Sequence, residues 1–463
     1  MNIEKKSLSF YFIQKIKRFF NTKEKKEIIN SFSWLFFDKI LRLGIGLIVG
    51  IWIAKYLGPN TYGFWNYATA FSGLFMAFAT MGVDSIVIKE LMIYPSQSDH
   101  ILGTAFVIRF LGSLLTLILS TTIFYYFKFG NSQGLEIVFI TSSCFLLQSF
   151  DVIDLYFQAK VKSRYTVISK NVSFLIFVLI RIYLITGKYN LMYFVWCNFY
   201  EVLLSEIIIN LYAIKHRIEI YNWKIDLKRG KNFLSNGWFL MLTSIMILIY
   251  MKIDQVMLGY MAGNNEVGIY SVAVRISEVW YFIPLAITTS VFPSQIKSKS
   301  ESNQIYFKRF KDLFFYFALI SISLSLLTSL FSGLIIKLLF GQDYARSALL
   351  LSINIWAGVF VFSGLGSSQF LIIENLYSLS FYRTLTGAVS NILLNLLFIP
   401  HFKAMGSALA TLISYFISAI LMNYFDKRTR SIFFIQLKSL YFHDQIIGLI
   451  KMAKININRK KIR

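Results

Sequence analysis

The chain is short of charge, proline, cysteine and histidine, and each shortage narrows what it can be. Only 15% of its 463 residues are Asp, Glu, Lys or Arg and only 5 are proline, whereas 56% are hydrophobic. Soluble domains carry about 25% charged residues, so a water-facing fold of ordinary composition is excluded. Cys144 and Cys197 both lie in apolar runs, which implies neither a disulfide framework nor a zinc site. His100, His216, His401 and His443 are scattered without metal-ligand spacing, so no metal cofactor is expected. No Gly-x-x-x-x-Gly-Lys-Ser/Thr loop occurs, which argues against a nucleotide-driven pump. The first long apolar run begins at Ser31 and is followed by no small-residue cleavage site, so no cleavable signal is expected.

What the chain has instead is repeated long apolar runs and a mean hydropathy of +0.59. Taking about 20 residues as the length of a membrane-crossing helix, the pattern predicts an all-α polytopic membrane protein with about twelve transmembrane helices. They are expected near 32–54, 64–83, 101–127, 135–159, 166–186, 190–214, 235–258, 268–292, 313–337, 346–372, 380–400 and 403–425. The first two flank a polar elbow, Lys55-Tyr56-Leu57-Gly58-Pro59-Asn60-Thr61-Tyr62-Gly63. The layout divides into an N-terminal tail (1–30), an N-terminal six-helix lobe (31–214), an inter-lobe loop (215–234), a C-terminal six-helix lobe (235–425) and a C-terminal tail (426–463).

The formal net charge of +24 would suit nucleic acid, but the basic residues sit in short loops and tails between apolar runs. About two-thirds of the 47 basic residues fall in the two tails and the loops 160–164, 215–231 and 297–311, while the opposite loops carry about five. This positive-inside bias predicts cytoplasmic termini, with anionic membrane lipids rather than nucleic acid as the partner. Residues 8–20 and the segment after Lys427 alternate apolar and basic residues and read as interfacial amphipathic helices. No loop is long enough to hold an extramembrane core, which places function within the membrane.

The elbow recurs. Gly63-Phe64-Trp65-Asn66-Tyr67-Ala68 aligns with Gly268-Ile269-Tyr270-Ser271-Val272-Ala273, and Asn60 then falls on Asn265. Both copies start from the same side, so a parallel repeat is expected, two six-helix bundles related by a pseudo-two-fold axis along the membrane normal. Such an architecture leaves a central cavity and suits alternating access.

Charges within the apolar runs cost a few kcal/mol each and mark candidate sites. The cationic candidates for substrate binding are Lys39, Arg42, Arg109, Arg181, Lys252 and Arg275; the carboxylate candidates for ion coupling are Asp38, Asp254 and Glu278. Asp151, Asp154, Glu201 and Glu206 complete the set, and Asp38 and Arg42 stand four apart, able to pair on one helix face. Several cations converging on a cavity suit an anionic substrate, since the guanidinium fork matches phosphate. No catalytic residue is assigned. Asn354, Gln369, Asn391 and Asn395 read as polar joints between helices.

The elbow Ile53 to Gly63, Met81-Gly82-Val83-Asp84, Lys252-Ile253-Asp254-Gln255-Val256-Met257-Leu258-Gly259, Val267 to Ala273 and Ile283-Pro284-Leu285-Ala286 resemble the polysaccharide flippases of Wzx type. The resemblance covers nearly the whole chain in layout and is specific at the two elbows. It implies the multidrug/oligosaccharidyl-lipid/polysaccharide exporter (MOP, MATE-like) fold and a transporter rather than an enzyme. It further implies translocation of undecaprenyl-diphosphate-linked oligosaccharide across the bacterial inner membrane for O-antigen or capsule assembly. A coupling proton or sodium ion, and polysaccharide polymerase and chain-length machinery as partners, are implied in the same way. The cationic character of the cavity carries over as a character, whereas Lys252 and Asp254 stand inside a matching stretch. A peptidoglycan-precursor flippase and a multidrug or cation exporter share the fold and stay as alternatives, with a membrane glycan polymerase or ligase further off for want of a large loop.

Overall fold

The computed structural model describes residues 23–127, 132–216, 218 and 220–441. The amphipathic stretch expected at 8–20 and the basic end beyond Tyr441 lie outside the described residues. Within them the secondary structure is helical throughout, and eleven helices are long and apolar enough to cross a membrane. We number these α1 (Phe37–Leu74), α2 (Pro95–Tyr126), α3 (Ser132–Ala159), α4 (Arg164–Thr186), α5 (Leu191–Lys215) and α6 (Leu227–Ala262), followed by α7 (Asn264–Glu301), α8 (Asn303–Leu339), α9 (Ser347–Ile373), α10 (Tyr377–Phe402) and α11 (Ala404–Phe425). The expected helices 32–54 and 64–83 are joined into one helical stretch through Gly58, giving eleven continuous spans among the described residues; the second of the two ends at Leu74, ahead of a separate short helix at Met76–Thr80.

Gly58 does break that stretch locally, with φ 71° and ψ 167°, ahead of Pro59. Gly263, between α6 and α7, has nearly the same backbone, φ 91° and ψ 169°. This region of backbone space is open almost only to glycine. The two elbows aligned by sequence are therefore bent by the same device, 5 residues before Gly63 in one and before Gly268 in the other. Downstream, Met81 and Gly82 carry positive φ and lead into a short helix, Asp84–Ile93.

The chain packs as two compact units. The first comprises the residues up to Ile53 together with Phe75–Ile245, and the second comprises Ala54–Leu74 together with the chain from Met246. In the first, Val83, Val87, Ile101, Leu102, Val152, Ile153 and Phe157 form a core against which Phe233 also packs. Here Gly237 of α6 lies on the Met81–Gly82 turn, where a Cβ would stand 2.8 Å from the Met81 carbonyl oxygen. In the second, Tyr306, Phe310, Phe314, Phe317, Phe362 and Phe370 dominate the core. A further helix, α12 (Arg430–Leu440), docks Ile432 and Ile435 on this core and anchors Gln436, whose amide donates 2.8 Å to Ser363 Oγ and accepts 2.9 Å from Asn423. Its other face leaves Phe434 and Lys438 outward.

Candidate functional site

The second unit holds a buried polar network around Asp254. Helix α6 carries the stretch Lys252-Ile253-Asp254-Gln255, and its rotation puts Asp254 inside, 4% exposed, while Lys252 stays half-buried. Three neutral donors converge on the carboxylate. Tyr270 of α7 gives its hydroxyl to Oδ2 at 2.9 Å, Thr411 of α11 donates to Oδ2 at 2.5 Å, and Asn395 of α10 donates to Oδ1 at 2.5 Å. Asn395 also donates to Asn391 Oδ1 and accepts from Ser407, and Asn391 donates to Ser414. Helical spacing explains the arrangement: Asn391 and Asn395 lie four apart on α10, and Ser407, Thr411 and Ser414 share the facing stripe of α11. Small residues let these helices approach, since a Cβ at Gly406 would stand 2.5 Å from the Phe398 carbonyl oxygen. Asn391 and Asn395 thus join helices as expected, and Asn395 in addition holds a buried carboxylate.

Asp254, Tyr270, Glu278, Asn354 and Thr411 line a cavity of about 10 Å³, the scale of one water or one small ion. A carboxylate, a phenol, hydroxyls and amide oxygens are hard oxygen donors, the set that suits a proton or an alkali cation. Nearby, Arg275 donates 3.0 Å to the Tyr62 hydroxyl, which belongs to the same unit.

The first unit holds its charges as ion pairs. Arg42 Nε donates to Asp38 Oδ1 at 2.8 Å, as the four-residue spacing requires, and its guanidinium lies 5.2 Å from the Phe174 ring centre. Arg181, near the end of α4, donates to Asn198 at 2.5 Å and to Glu201 at 2.6 Å on α5. Arg109 is 6% exposed and sits 3.4 Å from Asp84. Lys39 is exposed, and among the described residues neither Lys39 nor Lys252 forms an ion pair.

Three charged groups were missed by the sequence reading. Lys170 of α4 bridges Asp151 at 3.2 Å and Asp154 at 3.3 Å. Glu266, 4% exposed, receives the Arg346 guanidinium at 2.8 and 3.3 Å. Arg383 is 8% exposed and donates to the Ser367 hydroxyl at 2.6 Å and to Ser368. Lys170 and Arg383 lie only four and three residues inside the expected spans, close to their ends. The helices in fact start earlier, at Arg164 and Tyr377, which draws them inward.

A family model described as polysaccharide biosynthesis protein matches residues 28–299, more than half of the chain. The chain belongs to that family. Among curated relatives, this family member is 20% identical over 410 residues to the capsular polysaccharide biosynthesis protein CapF of Staphylococcus aureus, covering 87% of this chain and 100% of that one. It is 24% identical over 426 residues to a putative O-antigen transporter of Shigella flexneri, covering 88% and 99%. Among solved structures, the lipid II flippase MurJ in an inward closed conformation superposes with a TM-score of 0.70 at 17% identity, covering 89% and 91%. An inward-facing multidrug resistance MATE transporter of the MOP superfamily follows with 0.68 at 14%, covering 86% and 94%. The fold is that of the MOP superfamily, as the elbow motifs implied.

Proposed function

We propose that this protein flips lipid-linked oligosaccharide, specifically an undecaprenyl-diphosphate-linked repeat unit, from the cytoplasmic to the outer leaflet of a bacterial inner membrane. The route is alternating access, and the product feeds O-antigen or capsule assembly. Relatives named as an O-antigen transporter and a capsular polysaccharide biosynthesis protein along nearly their whole length support this reading. The observation that carries it is chemical: neither Lys39 nor Lys252 forms an ion pair with a carboxylate among the described residues, Lys252 acting on Glu278 only at longer range. A diphosphate cannot enter hydrocarbon unpaired, because burying an uncompensated ion costs many kcal/mol. Free ammonium groups lower that barrier, while the prenyl chain stays in lipid. The ion pairs of Arg42, Arg109 and Arg181 moderate the field, so that binding stays weak enough for release.

Coupling is assigned to Asp254. Its carboxylate is stabilised by neutral donors alone, so a proton or a sodium ion entering the cavity meets an uncompensated negative charge. The termini are placed in the cytoplasm on the distribution of basic residues, and polymerase and chain-length proteins on the outer face are the expected partners.

The test reconstitutes the full chain in liposomes with a fluorescent prenyl-diphosphate oligosaccharide and scores its accessibility to an external quencher. Flipping above empty liposomes that falls in both Lys39→Ala and Lys252→Ala supports the reading. Flipping unchanged in both variants removes the site assignment, and export of cationic drugs without any flipping removes the function.

A further inference from the structure

The first unit contains a second charged cluster, buried at Arg109, Asp154 and Glu206 and half-buried at Asp84, Asp151 and Lys170, that the reading above leaves without a role. Four carboxylates, Asp84, Asp151, Asp154 and Glu206, face two cations, Arg109 and Lys170. They come from five separate elements: the helix Asp84–Ile93, α2, α3, α4 and α5. The cations are already engaged. Arg109 lies 3.4 Å from Asp84, and Lys170 lies 3.2 Å from Asp151 and 3.3 Å from Asp154, whose other oxygen accepts from Thr166 at 2.8 Å. Glu206 is left over. It is 4% exposed, its Oε2 has no hydrogen-bond partner among the described residues, and the charges of Asp151, Lys170, Arg109 and Asp154 act on it. The Arg109 Nε is likewise buried and without an acceptor, and Oδ1 of Asn210, one helical turn from Glu206, is buried without a donor.

Four carboxylates against two cations leave two formal negative charges in excess, and the cost of an unpaired one is greatest at buried Glu206. A metal cation would need several carboxylate oxygens gathered on one point, but three of these carboxylates are held apart by Lys170 and Arg109. A proton needs only one oxygen; Oδ1 of Asp84 and of Asp151 also lack a hydrogen bond but each lies in an ion pair, whereas Oε2 of Glu206 has neither among the described residues. We propose that Glu206 is the seat of an exchangeable proton, giving the first unit a proton-binding site separate from the Asp254 network. Water supplies the proton, an O–H bond forms at Oε2, and one excess negative charge disappears; release returns the proton to water. The protonated acid becomes a donor, which also satisfies an atom that otherwise has no partner. The inference extends the ion-coupled reading and rests on it only for its consequence for transport.

Infrared difference spectra test it on the purified full-length protein in lipid nanodiscs, titrated from about pH 5 to about pH 9. The expected result is a protonated-carboxyl band that titrates, moves on carbon-13 labelling of glutamate, is lost in Glu206→Gln and persists in Asp254→Asn. A band that ignores glutamate labelling, or survives in Glu206→Gln, overturns the proposal. So does a band displaced by sodium at constant pH, because the site then takes a metal cation. If Glu206→Gln does not fold, Glu206→Asp replaces it, and the titrating band must then lose its response to glutamate labelling; a band that keeps that response overturns the proposal. No flipping is read, so failure here leaves the flippase reading standing, and a protein that flips nothing can still show the band.

Discussion

Gly63 and Gly268, the two glycines aligned by the internal repeat, face each other at backbone distance within the second unit. A Cβ at Gly63 would lie 2.5 Å from the Gly268 amide nitrogen and 1.8 Å from the Asn264 carbonyl oxygen, and a Cβ at Gly268 would lie 1.9 Å from the Pro59 carbonyl oxygen. The obstacles are main-chain atoms, which cannot rotate aside. Gly63→Ala or Gly268→Ala should each cost about 3 kcal/mol by overpacking, read as a lower thermal midpoint in detergent. An unchanged midpoint would show that the elbows do not meet this closely.

Gly58 and Gly263 should respond for a different reason. Nothing lies within 4 Å of a Cβ built on either, so space is not the constraint. Their backbone conformation is, and an L-residue there should cost about 1–3 kcal/mol. Gly58→Ala and Gly58→Asn should therefore destabilise by similar amounts despite their different sizes. A cost that rises with side-chain volume would point to crowding instead.

Asp254→Asn and Asp254→Ala should part company. The amide keeps acceptor and volume, so the variant should fold while losing any dependence of flipping on a proton or sodium gradient. The alanine leaves Tyr270, Thr411 and Asn395 with unanswered donors in a buried site, at about 1–3 kcal/mol for each unsatisfied group. Thermal scans with parallel flipping assays separate the two effects.

Arg181 and Glu201 form a mostly buried pair, 10% and 17% exposed at the side chain. Removing one partner strands the other, so Arg181→Met should cost about 3 kcal/mol, and the double variant with Glu201→Leu should recover much of the loss. A double-mutant cycle measures the coupling. Independent, additive losses would show that the pair is not formed.

Acidification should loosen the turn after α11. Arg428 holds the Asp426 carboxyl below the usual carboxylate range, chiefly through its side-chain hydrogen bonds. The resulting stabilisation is present above the ordinary carboxylate value and disappears as pH falls through the depressed one. Asp426→Asn should flatten that acid limb slightly, because the pair is largely exposed.

Most of the fold was legible because membrane spans announce themselves by length and hydropathy, and even α4 and α5, interrupted by Arg181 and Glu201, formed where expected. The break at Gly58 was legible as an elbow, though not as a continuous helix, since helical hydrogen bonding on both sides of a glycine leaves no compositional trace. The site was only half legible. Asp254 stood in a matching motif, and Asp38–Arg42 followed from spacing. Lys170, Glu266 and Arg383 were hidden because a charge near a span boundary looks like a snorkelling end until the true helix start is known. The partners of Asp254 come from α7, α10 and α11, between 16 and 157 residues away, and no local pattern can bring them together.

The division of the chain into units carries a consequence for biosynthesis. Residues 54–74 belong to the second unit although they are translated well before the rest of it begins at Met246. The Tyr344 hydroxyl reaches back to the Ala54 carbonyl across 290 residues. Closing so long a loop is slow relative to local helix formation, so the first elbow must wait in the bilayer for partners not yet made. A ribosome that stops near residue 245 would leave that elbow with nothing to dock on. The maturation of this protein is consequently a post-insertion event, dependent on the part of its own message that lies beyond residue 245.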